Sequence, residues 1–218
     1  MSDHPILMLE DIAFGYAGSP ALFNGLHFTL HSHEHTGLYG PNGSGKTTLL
    51  RLIMGLAPKK SGRILFHGVP VNNEKVLHRL RCSIGYVLQN SDDQLFLPTV
   101  LEDVAFGPLN LGLKRKKARD RAMETLENMG LAAYADRQTH RLSGGEKKMI
   151  SIASVLSMRP EALLLDEPTA FLDEESKDKI MRILQAQNIA RIVVSHDKTF
   201  LEQTTTSIIR INEGQICG

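Results

Sequence analysis

Residues 40–47 read Gly40-Pro41-Asn42-Gly43-Ser44-Gly45-Lys46-Thr47 and match the spacing G-x-x-x-x-G-K-[ST]. A turn of this composition can curl its backbone N–H groups inward around phosphate oxygens, because glycine permits both the curvature and the close approach. A helix that starts where the turn ends adds the positive end of its dipole. Lys46 has the reach for β- and γ-phosphate oxygens, the Thr47 hydroxyl is a ligand for Mg2+, and Thr48 completes the nucleotide-binding set. Four fixed positions at this spacing recur by chance in about one chain per hundred of this length, so a flanking strand and helix must support them. A second cluster lies far along the chain. Ala162-Leu163-Leu164-Leu165-Asp166-Glu167 is an apolar strand delivering two carboxylates at its C-terminal end, where open α/β sheets hold their ligands. Asp166 suits Mg2+ or its bound water, and Glu167 suits polarising an attacking water. Taken alone, Asp-Glu-Pro is as consistent with a polar strand exit.

The elements that must position these residues follow from periodicity and from glycine and proline breaks. Leu7-Met8-Leu9, Ile12-Ala13-Phe14 and the alternating Leu26, Phe28 and Leu30 predict strands around a Gly18-Ser19-Pro20 turn. Thr36–Tyr39 predicts a strand running into the glycine turn, and Thr47–Leu56 carries leucine and isoleucine at helical spacing. A strand pair is expected at Arg63–His67 and Ser83–Leu88. Helices follow at Val100–Leu111, Lys114–Met129 and Gly144–Met158, with Gly107-Pro108 and Gly112 as punctuation. The last third predicts strand Ala162–Leu165, helix Glu174–Ala186, strand Arg191–Val194 and strand Ser207–Ile211, closed by a turn at Asn212-Glu213-Gly214. Such alternation implies a parallel sheet in an α/β domain, into which the helical middle, roughly residues 90–155, is inserted.

The composition bounds the function. The chain has 218 residues, 42% of them hydrophobic, which suits one domain with a real core, or one domain with a subdomain. With 25 Lys+Arg against 24 Asp+Glu the net charge is +1, and this argues against nucleic acid as a main partner. Cys82 and Cys217 are too far apart in sequence to suggest a disulfide framework or metal cluster, so reduced thiols are expected. Met1-Ser2-Asp3-His4-Pro5 lacks the marks of a secretion signal. Residues 12–33 carry no Asp, Glu, Lys or Arg but are broken by Gly15, Gly18, Pro20, Asn24 and Gly25, so no membrane helix is expected there. His31, His33 and His35 alternate; on a strand they would share one face and could hold a metal, yet a polar turn explains them equally well. Lys114-Arg115-Lys116-Lys117, with Arg119 and Arg121, is expected as a solvated face of a helix.

Beyond the phosphate loop and the acidic strand, the chain closely resembles the ABC-transporter ATPases over nearly its whole length. Leu142-Ser143-Gly144-Gly145-Glu146 looks like the signature of that family, written LSGGQ in most members, and no other class with this phosphate loop carries it. The resemblance implies a P-loop NTPase core with a mainly parallel sheet, an N-terminal antiparallel β-subdomain and an inserted helical subdomain. The core would take 1–88 and 156–218, and the helical part 89–155. It also implies site residues. Tyr16 matches the aromatic that stacks on adenine, Gln89 the glutamine that touches Mg2+ and relays nucleotide state, His196 the switch histidine and Asp173 the D-loop aspartate. The signature residues would bind ATP held by a second ATPase subunit, in a homodimer or a related heterodimer. Glu167, His196 and Lys46 would carry catalysis, and Thr47, Gln89 and Asp166 would hold Mg2+.

The chain departs from the family pattern at two places: Glu146 stands where glutamine is usual, and Ala170-Phe171 stands where Ser-Ala is usual. The stretch Gln89-Asn90-Ser91-Asp92-Asp93-Gln94-Leu95-Phe96, continuing to Pro108, resembles the energy-coupling factor (ECF) importers, with Ser91 in place of proline. Those systems take up vitamins or cobalt and nickel, and the short chain is more similar to their metal branch. The implied protein is an ATP hydrolase at the cytoplasmic face of the membrane, bound peripherally to integral membrane subunits. An ATPase of a vitamin-type ECF or other ABC transporter is the alternative. A soluble ABC ATPase would be expected to carry coiled-coil insertions or tandem domains, and a small-molecule kinase would leave residues 142–146 and His196 without work.

Overall fold

In a computed structural model, which describes residues 5–212 and 214–217, the chain folds around two sheets. Strand β1 (Pro5–Phe14) runs antiparallel to β2 (Phe23–His31), and the alternate residues Leu26, Phe28 and Leu30 of β2 are buried. The two short strands expected at 7–9 and 12–14 are one strand. Asp11 holds φ 53 and the register slips between Leu9 and Ile12, so a bulge replaces the expected break. The uncharged residues 12–33 thus form a strand end, a turn and a strand, and among the described residues no helix is long and apolar enough to cross a membrane.

Strand β3 (His35–Tyr39) leads through the glycine turn into helix α1 (Lys46–Ile53), as expected. Next come β4 (Ser61–Phe66), the two-residue β5 (Val69–Pro70), helix α2 (Glu74–Ser83) and β6 (Ile84–Val87). Here the expected pairing fails. β4 joins β1 in a sheet of order β2-β1-β4-β5, whereas β6 lies in the other sheet. The helix between them escaped the periodicity because only Leu80 of α2 is buried, although Asn73 caps it by accepting from the Val76 N–H.

Helices α3 (Val100–Asn110), α4 (Arg115–Asn128) and α5 (Gly144–Leu156) then pack together, and their buried residues share a cluster with Leu163, Leu165 and Val193 of the second sheet. The Gly107-Pro108 pair does not punctuate α3 but lies inside it. Strand β7 (Ala162–Asp166), helix α6 (Glu174–Gln185), β8 (Ala190–Val194), α7 (Lys198–Thr204), β9 (Ser207–Asn212) and β10 (Gln215–Cys217) complete the chain. The second sheet has the order β10-β9-β3-β8-β7-β6 and is parallel except for β10. Every residue of β7 and β8 is buried, as a parallel strand covered on both faces requires.

His31 ends β2, His33 sits in the turn with φ 64 and His35 begins β3, so the three do not share a strand face, and no metal-holding cluster occurs among the described residues. His35 instead meets Arg191, whose Nη2 lies 3.0 Å from its ring. Lys114–Lys117 are exposed while Ala118, Ala122 and Leu126 of α4 face inward, so the basic run is a solvated face. Cys82 is a free thiol beside His78, whereas the Cys217 side chain, Met1–His4 and Glu213 of the expected turn lie outside the described residues.

Candidate active site

Parallel strands carry their loops to one edge, and the ends of β3, β7 and β8 deliver the chemistry-bearing residues together. After Tyr39 the chain turns through Gly40, Pro41, Asn42, Gly43, Ser44 and Gly45 before α1 begins at Lys46. Gly45 cannot be replaced without disturbance. Its φ is 103, and an added Cβ would come within 2.6 Å of the Phe23 ring. The buried Lys46 bends back over the loop, its Nζ donating to the carbonyls of Gly40 at 2.8 Å and Pro41 at 3.0 Å. Burial lowers its proton affinity, while Glu167 and Asp166 pull it back up. The Ser44 hydroxyl is buried in the same loop without a hydrogen-bond partner.

At the end of β7, Asp166 accepts from the Thr47 hydroxyl at 2.9 Å through Oδ1 and from the Tyr86 hydroxyl at 3.2 Å through Oδ2. Burial raises its pKa, and those two hydrogen bonds oppose the rise. The donor set here is a hydroxyl and one carboxylate, which suits a small hard cation that takes its other ligands from phosphate and water. Glu167 follows in a left-handed conformation, φ 47, that turns it away from the strand direction. Its Oε1 lies 3.3 Å from His196 Nε2, and its Oε2 accepts from the His196 backbone N–H at 3.3 Å. Burial pushes the Glu167 pKa up; His196 and then Lys46 hold it back.

A cavity of about 710 Å3 opens over the glycine turn. Tyr16, Lys46, Thr48, Gln89, Glu167 and His196 all line it. The Tyr16 ring is 49% exposed, stands edge-on to Phe14 and hydrogen-bonds Thr48 Oγ1 through its hydroxyl at 3.0 Å. Gln89 is exposed at the end of β6.

Residues 142–146 are not among those lining the cavity. Ser143 caps α5, accepting from the Glu146 N–H, while Glu146 Oε2 accepts from the Ser143 N–H at 2.7 Å. Glutamate in place of glutamine therefore keeps a complete capping box. That backbone bond holds the Glu146 carboxyl below its ordinary range, and Arg137 lies 3.3 Å from its Oε1. Gly144 opens the helix, with Leu142 buried before it. Gly145 must be glycine for a local reason: a Cβ there would sit 2.2 Å from Ser176 Oγ on α6. Asp173 caps α6 by accepting from the Ser176 N–H at 2.8 Å. Phe171 lies at the cavity rim with φ 63 and is 100% exposed.

Sequence reasoning missed the roles of three residues that hold the segment 88–97. Lys148 donates to the Leu88 and Gln89 carbonyls, and burial lowers its pKa to about 8. Gln94 bridges β6 to α5, and the buried Asp103 accepts from the backbone N–H groups of Phe96 and Leu97. Lys148 was findable as the single charge among the buried residues of α5; nothing in the sequence marks the partners of the other two.

The family model described as ABC transporter matches residues 23–170, more than half of the chain. The chain is 49% identical to a putative ABC transporter ATP-binding protein of Nitratidesulfovibrio vulgaris, over 98% of this chain and 79% of that one. It is 41% identical to the energy-coupling factor transporter ATP-binding protein EcfA of Methanothermobacter thermautotrophicus (97% and 69% covered). It is also 41% identical to the nickel import ATP-binding protein NikO of Rhodobacter capsulatus (97% and 87%). Among solved structures, cbiO1 of Clostridium perfringens, part of the ABC transporter complex cbiONQ, superposes with TM-score 0.88 at 35% identity, covering 100% of this chain and 88% of that one. A bacterial ABC transporter cassette solved as a dimer gives TM-score 0.86 at 27% identity, with 96% of each chain covered.

Proposed function

The chain belongs to the ABC transporter ATPase family and hydrolyses ATP, and from that premise we propose that it is the ATPase subunit of an ECF-type importer energising uptake of a transition metal ion, cobalt or nickel. The nickel-import relative and the cbiONQ component support a metal cargo, and EcfA supports the ECF type. In this reading the chain sits peripherally at the cytoplasmic face of the membrane, bound to integral membrane subunits. Residues 1–88 and 156–218 act as the nucleotide-binding core and 89–155 as the helical subdomain.

Tyr16 stacks on adenine and the turn Gly40–Gly45 wraps the phosphates with Lys46; Thr47, Gln89 and Asp166 would hold Mg2+, which when bound would neutralise charge on the phosphate oxygens. Glu167 accepts a proton from a water molecule as the water oxygen bonds to the γ-phosphorus and the bond to the bridging β,γ-oxygen breaks. Lys46 and His196 stabilise the charge that develops on the γ-phosphoryl oxygens. Leu142, Ser143, Gly144, Gly145 and Glu146 act on the ATP of a second ATPase subunit, which is why they lie away from their own chain's cavity.

The observation that carries the reading is Glu167, a buried carboxylate with raised proton affinity, held beside His196 over the phosphate turn. Glu167→Gln is expected to bind ATP with near wild-type affinity, to lose at least about a hundredfold in kcat and to accumulate an ATP-bound dimer. Normal turnover by that variant overturns the mechanism. Uptake of radiolabelled Ni2+ and Co2+ by vesicles holding the co-purified membrane subunits tests the cargo.

A further inference from the structure

Helix α5, capped by Ser143, is tied by two side chains to the strand end that carries Gln89. Lys148, one turn into α5 and 3% exposed, donates through Nζ to the carbonyls of Leu88 at 2.9 Å and Gln89 at 2.7 Å. Gln94 makes the second tie. Its Oε1 accepts from the Leu88 N–H at 3.0 Å, while its Nε2 donates to Ser151 O at 2.8 Å and Ser154 Oγ at 3.1 Å. Leu88 is therefore held at its N–H by Gln94, itself anchored on α5, and at its carbonyl by Lys148, which also holds the Gln89 carbonyl. Met149, Ile150, Ile152 and Ala153 are buried around these contacts, so α5 cannot shift without carrying the 88–89 segment along.

The choice of a lysine is informative. Its two hydrogen-bond partners are neutral carbonyls; burial disfavours its charge, and the Asp166 carboxylate at the end of β7 favours it. A neutral donor would cap a strand end without that desolvation.

We propose that Lys148 is a positioning residue that couples α5 to Gln89, setting where the Gln89 side chain meets its own chain's nucleotide according to whether α5 is docked. This rests on the reading above, in which Gln89 meets the nucleotide and the start of α5 meets ATP held by a second subunit. The link is intramolecular: an event at Ser143 reaches the cavity of the same chain through one helical turn and one side chain.

A double-mutant cycle on the full-length chain tests it. Wild type, Lys148→Met, Gln89→Ala and the double variant are compared in kcat, KM for ATP, affinity for a fluorescent ATP analogue and thermal unfolding. Lys148→Met is expected to lower kcat about tenfold, leaving KM and analogue affinity within about twofold. In the Gln89→Ala background the same substitution is expected to do nothing further. Additive losses, or an unchanged kcat in Lys148→Met, overturn the proposal and leave the role of Gln89 standing. A Gln89→Ala chain with wild-type kcat instead removes the role given to Gln89, and that of Lys148 with it. Should Lys148→Met not fold, Lys148→Gln, which keeps one donor, carries the cycle.

Discussion

At the scale of single residues, several side chains and glycines of the site do a local structural job as well as the chemical one. Gly145 belongs to the signature-like segment, yet its lack of a side chain is demanded from within the chain, where Ser176 Oγ would stand 2.2 Å and Ser176 Cβ 2.8 Å from a Cβ. Gly145→Ala must therefore push the start of α5 away from α6. It is expected to lower kcat at least about tenfold, since displacements of about 1 Å at a reacting centre are that costly. Ser176→Gly in the same chain clears the space and is expected to restore most of the activity, which a steady-state ATPase assay of the single and double variants checks. If Ser176→Gly restores nothing, the contact with α6 is not why glycine is required. The motif was plain in the sequence because its spacing is rigid. Its partner was not, because Ser176 lies 31 positions away on another helix and carries no pattern of its own.

At the scale of elements, α3 illustrates why breakers mislead. Pro108 has no N–H, so the Val104 carbonyl one turn earlier loses its helical partner. Ser157, at the end of α5, fills the gap: its hydroxyl donates to Val104 O at 2.7 Å, and the residue is fully buried. The helix passes through the proline because a second helix supplies the missing donor. Ser157→Ala orphans a buried carbonyl and is expected to destabilise the chain by about 1–3 kcal/mol, read by denaturant unfolding. A shift below about 0.3 kcal/mol would mean the carbonyl finds another partner. The same logic separates what was legible from what was not. The parallel strands β7 and β8 were legible because a run buried on both faces is apolar throughout. Helix α2 was hidden because it buries one leucine, and the short α7 was hidden between two expected strands. The resemblance implied an antiparallel subdomain beside a parallel core, but which strands join each sheet was hidden because pairing depends on contacts across the whole chain, as with β4 against β1.

At the scale of the molecule, the nearly neutral chain brings Lys46, Asp166, Glu167 and His196 to one sheet edge but leaves residues 142–146 outside their cavity. The sequence made the cis half of this arrangement readable, since each residue sits at a strand end or turn. Of the face on which a second chain would lie, residues 142–146 and Asp173 are announced by motif, and the rest carries no period or motif. In the proposed dimer Phe171, at the cavity rim, belongs to that face. It is wholly exposed, and its φ of 63 costs a non-glycine residue about 1–2 kcal/mol, so it contributes nothing to the stability of a single chain. Against a second chain, covering a phenylalanine is worth about 1.5–3 kcal/mol. Phe171→Gly in the Glu167→Gln background is therefore expected to raise the protein concentration needed for the ATP-bound dimer about tenfold or more, followed by sedimentation velocity. The unfolding midpoint of the nucleotide-free chain should stay level or rise, because glycine accepts the positive φ without strain. Equal dimerisation by both chains would mean that Phe171 faces solvent in the assembled transporter as well, or meets a membrane subunit in place of its twin.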